Sequence, residues 1–339
     1  MNDNYIAPRK VSPFPCAVLQ VLASLLLALS TKMGLLHIGV FLVAVISAMF
    51  ALQSIVSKSY IYFATVAISV CGAFLIGGVF PAAMSAFALP AGLITASMVK
   101  KKSEKIAVAA SLEVLYTVLF TALFLAVYLL AGNEFSVAAI VKYFGDIIDV
   151  LKDSFVHNIE ADEETMMTFM EFLGAKTRED FLAAMDAVFN TFQLILPALL
   201  IAVMGILGYL TAAVFKLGTA LARCELVLPD PKWKTLPSKI SAVVYSAAYI
   251  LYSVAAVFSS DMNVFILVCY SVVIVLAPLM MLMGIKWVGR LRKKGVFIVL
   301  FVFGALFMGS LAFMVLAFLG VLEVFRLRNE QKKNENKEN

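Results

Sequence analysis

Glu113 is the residue with the clearest capacity for chemistry, because it is an acid inside a long apolar run. It lies two turns beyond Lys105, which is about 10 Å along a helix that rises 1.5 Å per residue. Acidic residues at such a depth usually face a helix-bundle interior or a cavity. Tyr116 and Thr117 follow at i+3 and i+4, where their hydroxyls could hydrogen-bond Glu113.

These three residues form the predicted substrate-binding site: Glu113, Tyr116 and Thr117. Glu113 would bind a solute or carry a coupled proton. The alternative is a protonated Glu113 that only holds two helices together or reaches the inner interface.

The composition indicates that lipid surrounds most of the chain. Of 339 residues, 63% are hydrophobic and only 14% are charged, against about 25% charged in soluble domains. The basic residues stand in short loops beside apolar runs, which is a pattern of membrane orientation rather than of a nucleic-acid footprint. The lipid bilayer is therefore the first predicted partner, and no nucleic acid is expected.

Nine apolar runs are candidate membrane spans, since a helix needs roughly 20 apolar residues to cross the hydrocarbon core. They are residues 16–31, 34–56, 60–80, 82–99, 106–131, 191–215, 238–258, 263–285 and 296–322. The first run resembles a signal-peptide core, but further spans follow at once and favour an uncleaved first helix. The alternative to separate third and fourth spans is that residues 77–92, with Pro81 after two glycines, form a broken or re-entrant segment.

The loop charges predict the orientation. Basic clusters follow the fourth, sixth and eighth runs, which places those loops and the N-terminus in the cytoplasm. Nine crossings would leave the basic C-terminal tail outside, against the same bias. Eight or nine spans therefore remain open.

One long acidic insert interrupts the apolar runs. Between Asn133 and Asn190 there are 12 Asp or Glu residues and 4 Lys or Arg residues. Its apolar residues recur at helical spacing and predict two or three amphipathic helices. Thr177 followed by Asp180 predicts a helix start, and the last stripe runs on into the sixth span. The insert is predicted to be extracytoplasmic.

Enzyme signatures are missing from the sequence. There is no nucleophile elbow, P-loop, metalloprotease or dinucleotide-binding motif. The four cysteines are far apart and there are two histidines, which argues against a zinc site. We therefore predict a protein that is not an enzyme and has no cofactor or bound metal.

Two short motifs carry a resemblance to a known family. One is Trp233-Lys234-Thr235-Leu236-Pro237 before the seventh span, and the other is the ending from Leu319 to Arg328, with Gly320, Glu323, Phe325 and Arg326. With the insert, this layout resembles the YybS-like family of uncharacterised bacterial membrane proteins. That family usually has Asp where this chain has Glu323. The family is similar, more remotely, to the S-components of energy-coupling-factor transporters, but those have about six spans.

The predicted protein is an all-α polytopic helix bundle in the bacterial plasma membrane. Its parts are N-terminal spans over 1–131, the insert over 132–190, C-terminal spans over 191–325 and a disordered charged tail over 326–339. The resemblance implies a solute-binding or transport component that captures a small molecule with transporter subunits as partners. The alternative is a membrane scaffold or regulator that holds another membrane protein through the insert or the basic loops.

Overall fold

The computed structural model describes residues 14–56, 61–101, 103, 105–221, 237–258, 264–288, 290 and 310–338. Every regular element in these ranges is an α-helix. The helices are α1 (Phe14–Lys32), α2 (Leu36–Val56), α3 (Ile61–Gly77), α4 (Val79–Ala86), α5 (Ala88–Lys100), α6 (Lys105–Leu130), α7 (Val137–Glu160), α8 (Glu163–Leu173), α9 (Arg178–Leu221), α10 (Lys239–Phe258), α11 (Val264–Val288) and α12 (Ser310–Glu338).

Six helical stretches in the described ranges are long and apolar enough to cross a membrane. They are Phe14–Lys32, Ile38–Ile55, Val79–Lys100, Lys105–Leu130, Arg178–Thr219 and Val264–Val288. This is compatible with a multi-pass membrane protein. The count of eight or nine spans stays a prediction, since α3 and α10 are shorter apolar helices and much of the run 296–322 lies outside the described residues.

Two compact units divide the chain. The first comprises Met1–Leu123, Ile201–Val244 and Leu276–Asn339, and the second comprises Phe124–Leu200 and Tyr245–Val275. Helices α6, α9, α10 and α11 each contribute residues to both.

The core of the first unit forms where small residues let helices approach closely. Small residues at four-residue spacing are buried within this unit: Ser24 and Ala28, Ala44 and Ala48, and Ala88, Gly92 and Ala96. Gly92 of α5 lies against Phe50 and Ala51 of α2, where a side chain would overlap the Phe50 ring. These small residues therefore pack helices of the chain against one another.

The helical path is broken twice within residues 77–92, whereas a re-entrant path for this segment stays a prediction. Gly78 has φ +82°, a conformation that favours glycine because it has no Cβ. Phe87 separates α4 from α5. Pro81 and Pro90 each lie in the first turn of a new helix, where the missing N–H is tolerated.

The acidic segment folds into α7, α8 and the first turns of α9, all within the second unit. Ile159, Phe181 and Met185 form its small core. As the apolar stripes predicted, the third helix is continuous with the following apolar run, since α9 extends from Arg178 to Leu221. At 1.5 Å per residue its 44 residues are far longer than a bilayer core is thick.

The predicted helix start at Thr177 is confirmed as a reciprocal cap. The Asp180 N–H donates to the Thr177 hydroxyl at 3.1 Å, and the Thr177 N–H donates to the Asp180 carboxylate at 3.1 Å. The Lys176 N–H also donates to this carboxylate, at 3.3 Å. The side-chain and backbone groups of Thr177, followed by the Lys176 N–H, hold the pKa of Asp180 below its ordinary value.

Asp180→Ala is expected to loosen the start of α9, well before its apolar part. A lowered carboxyl pKa means that the cap stabilises the fold above the unfolded pKa, near 4, and that this contribution is lost as the pH falls through the folded pKa. Hydrogen exchange of the Thr177–Phe181 amides should be severalfold faster in the variant at pH 7. The difference should vanish at strongly acidic pH.

The control for this experiment is Glu179→Ala, which removes a charge from the same first turn without removing the cap. Equal effects of the two substitutions at pH 7 would show that the helix dipole, not the cap, sets the exchange rate.

The charged C-terminal segment, for which a disordered tail is predicted, is helical in the structure. Helix α12 continues to Glu338. Arg326 pairs along the helix with Glu323 and Glu330, and ion pairs at i+3 and i+4 stabilise helical conformation.

Candidate functional site

Glu113 lies on the face of α6 that meets α9. A Cβ placed on Gly208 of α9 would come within 2.5 Å of the Ala109 carbonyl oxygen, so the two backbones pass very close together. One turn away, a Cβ on Gly205 would lie 3.3 Å from the carboxyl carbon of Glu113. The absence of a side chain at Gly205 therefore leaves room for this carboxyl group.

The Glu113 carboxyl group is half-buried and has no hydrogen-bond or ion-pair partner among the residues that the structure describes. The Thr117 hydroxyl donates instead to the backbone carbonyl of Glu113, at 2.8 Å. Such bonding to the preceding turn is common for threonine in helices. A carboxyl group with unused hydrogen-bonding capacity can accept a ligand, a proton or water.

Tyr116 joins three helices rather than pairing with Glu113. Its buried hydroxyl donates to Ser47 of α2 at 2.8 Å and lies 3.1 Å from the hydroxyl of Thr211 of α9. Thr211 can also donate to the Leu207 carbonyl oxygen, at 2.9 Å. The structure therefore brings Glu113, Tyr116 and Thr117 to one stretch of α6, but the two hydroxyls have partners within the protein.

Tyr116→Phe is expected to lower the free energy of unfolding by about 1–3 kcal/mol, because buried hydroxyls lose a partner. Thermal unfolding of the purified protein in detergent measures the loss. Tyr62→Phe is the matched control, since Tyr62 lies at the edge of the same core and its hydroxyl has no hydrogen bond to another described residue. If both variants unfold alike, the three hydroxyls do not hold these helices together.

A second polar group in the first unit joins α1 to α2. The Gln53 amide donates to the Gln20 side-chain oxygen at 2.9 Å. No described residue hydrogen-bonds the buried Gln20 amide nitrogen or the buried hydroxyls of Ser69 and Ser85. Because each such buried group costs free energy until it is satisfied, these atoms are points where water or a polar solute would be stabilised.

The strongest charge cluster surrounds Glu323, which is completely buried on α12. Its carboxylate pairs with Arg290, just after α11. Arg326, one turn later on α12, donates to the two carboxylate oxygens at 3.2 and 3.5 Å. Arg326 also pairs with the more exposed Glu330. A buried carboxylate is tolerated here because two guanidinium groups compensate its charge.

Two glycines bring this cluster together. A Cβ on Gly320 of α12 would overlap the Met280 carbonyl oxygen of α11, and a Cβ on Gly284 would overlap the Leu316 carbonyl oxygen. The close crossing of α11 and α12 lies one turn before Glu323 and places its carboxylate within reach of Arg290.

The C-terminal half of α12 also contacts the beginning of α10. The Lys239 ammonium donates to the Asn329 side-chain oxygen at 2.6 Å, and Arg328 donates to the Pro237 carbonyl oxygen at 3.2 Å. The start of α10, the end of α11 and the basic part of α12 therefore lie together within the first unit.

The Glu323 cluster was not among the sequence-predicted site residues. Its signal was present in the ending that carries the family resemblance, where Gly320, Glu323 and Arg326 recur at three-residue spacing. In the structure Gly320 lies where α11 and α12 cross, and Arg326 forms an ion pair with Glu323. Most of the Trp233–Pro237 motif lies outside the described residues, as do several residues of the basic loops.

No family model, curated protein or solved structure matches this chain. Its class is therefore defined by its own architecture: an all-helical protein with several helices long and apolar enough to span a membrane.

Proposed function

We propose that this protein is a multi-pass membrane component that binds a small solute for transport, with Glu113 as the group that contacts the solute. The observation that carries the proposal is the Glu113 carboxyl group, which lies in the apolar helix α6 beside Gly205 and has no partner among the described residues. Acidic residues within membrane spans rarely face lipid, and they commonly mark the pathways of solutes or protons.

The orientation that fits this proposal has the N-terminus and the basic loops in the cytoplasm and the acidic segment outside. Solute would then enter from the extracytoplasmic side. The chain holds no P-loop, so energy would come from an ion gradient or from partner subunits. This arrangement is similar to that implied by the resemblance to the YybS-like family and the transporter S-components.

The test is mass spectrometry of small molecules that co-purify with the protein in detergent. The wild-type protein is expected to retain one metabolite near stoichiometry. Glu113→Gln keeps the size of the side chain but removes its charge, and we expect at least tenfold lower occupancy, about 1.4 kcal/mol of binding free energy.

The matched control is Glu134→Gln, which makes the same change at an exposed position. The comparison of metabolite occupancy requires that the two variants have the same thermal unfolding midpoint. Unchanged metabolite occupancy in Glu113→Gln, or wild-type protein with no bound metabolite, would overturn the proposal.

A second candidate function is a scaffold or regulator that holds a membrane protein partner. It is favoured by exposed apolar side chains on α7, of which Val141 is 58% and Val150 is 65% exposed. Photo-crosslinking from these two positions in intact membranes tests it. One reproducible protein partner would favour this function, and crosslinks only to lipid would count against it.

A further inference from the structure

An open apolar cleft lies between α7, α8 and α9, wholly within the second unit. Its volume is about 340 Å³. Eight side chains line it, and five of them are phenylalanines: Phe155, Phe169, Phe172, Leu173, Met185, Val188, Phe189 and Phe192. We call it the α7–α9 cleft.

The lining determines the chemistry of the occupant. None of the eight side chains offers a hydrogen-bonding or charged group. A polar solute would lose its hydration here without compensation, at a cost of several kcal/mol per buried polar group. The part of a ligand that enters the cleft must therefore be hydrocarbon.

The cleft is small compared with a peptide helix. A helix is about 10 Å across and rises about 5.4 Å per turn, so less than one turn would fill this volume. The volume lies near the lower end of the range for small-ligand sites, roughly 300–1,000 Å³. A single flexible chain fits the cleft better than a folded segment does.

The position of the cleft indicates the source of that chain. Val188, Phe189 and Phe192 lie on α9 just after Asp186, the last charged residue of its N-terminal part, and Lys216 is the next charged residue along the helix. The cleft is therefore continuous with the apolar part of α9, at the predicted membrane boundary of the sixth span. Hydrocarbon chains at this boundary belong to lipids.

The surrounding charges restrict the headgroup. The segment from Asn133 to Asn190 has 12 acidic and 4 basic residues. Lys152 pairs with Asp186 at 2.9 Å, and Arg178 pairs with Glu160 at 2.8 Å. An anionic headgroup would be repelled by the acidic excess.

We propose that the α7–α9 cleft binds one acyl chain of a membrane lipid whose headgroup is neutral or zwitterionic. Phe172 lies at the rim of the cleft, and its side chain is 83% exposed. The site goes beyond the proposed solute function, because it involves neither Glu113 nor the first unit.

The test uses the full-length protein in nanodiscs of phosphatidylcholine that contain a trace of phosphatidylcholine with a photoactivatable acyl chain. After illumination, mass spectrometry maps the labelled peptides. We expect labelling of the peptides that contain Phe169 and Phe189, in addition to lipid-facing positions on the spanning helices.

Val188→Trp fills the cleft and is expected to reduce labelling of these peptides at least fivefold. Val150→Trp is the matched control, because Val150 is exposed on α7 and does not line the cleft. If Val188→Trp fails to fold, Phe172→Ser replaces it, since that rim side chain is mostly exposed and its loss should weaken labelling without disturbing the core.

Three results would overturn the proposal. The first is labelling confined to the spanning helices. The second is equal labelling in wild type, Val188→Trp and Phe172→Ser. The third is stronger labelling by the corresponding phosphatidylglycerol probe, which would contradict the headgroup assignment. Glu113 does not line the cleft. The effect of Glu113→Gln on metabolite occupancy is therefore independent of these three labelling results.

Discussion

Gly320→Ala is expected to prevent stable assembly of α11 and α12. The added carbon would overlap the Met280 carbonyl oxygen, which belongs to the backbone and cannot rotate away. The helices must separate, and the crossing that positions Glu323 would open. Overpacking alone typically costs about 1–3 kcal/mol, and the lost ion pairs would add to this cost. Size-exclusion chromatography and thermal unfolding in detergent measure the outcome.

Gly39→Ala is the matched control, because it makes the same change in an apolar helix. A Cβ at Gly39 meets only Leu27, at an ordinary 3.4 Å. Alanine is favoured over glycine in helices by up to about 1 kcal/mol, so this variant should be as stable as the wild type or more so. A Gly320→Ala protein with the wild-type thermal midpoint would contradict the close crossing.

Glu323→Gln is expected to lower the free energy of unfolding by about 2–3 kcal/mol. Removing one member of a buried ion pair typically costs 3–5 kcal/mol. The lower value applies here because the Arg290 and Arg326 side chains are 36% and 43% exposed, and water can partly solvate them once the countercharge is lost. The readout is thermal or denaturant unfolding of the purified protein.

Glu330→Gln removes the exposed partner of Arg326 and should change the unfolding free energy by no more than about 0.5 kcal/mol. In a double-mutant cycle, Arg290→Met combined with Glu323→Gln should cost less than the two single changes added together. Strict additivity would show that the two side chains do not interact.

Local patterns predicted much of the helical structure. Apolar run length located α2 and α6 to within a few residues, and the Thr177 and Asp180 spacing located the beginning of α9. These features depend on neighbours within one or two turns, so the sequence contains the information directly. The break at Phe87 could not be predicted from the sequence, because phenylalanine is not a residue that ends helices.

The pairing of distant residues could not be predicted in the same way. Tyr116 was expected to bond to Glu113 because the two are neighbours on α6, whereas its partners come from α2 and α9. Likewise, Arg290 and Glu323 meet only because Gly284 and Gly320 allow two helices to cross. Such contacts depend on tertiary packing, which periodicity and loop charge do not specify.

The contact between α10 and α12 has a consequence for the parity of the membrane crossings. Lys239 begins α10, and its side chain meets Asn329 near the end of α12. Two positions on one side of a bilayer are joined by an even number of crossings. The three apolar runs predicted after Pro237 give an odd number and would separate these residues. An even number of crossings between Lys239 and Asn329 would remove the predicted conflict between the charge bias and the basic C-terminal tail.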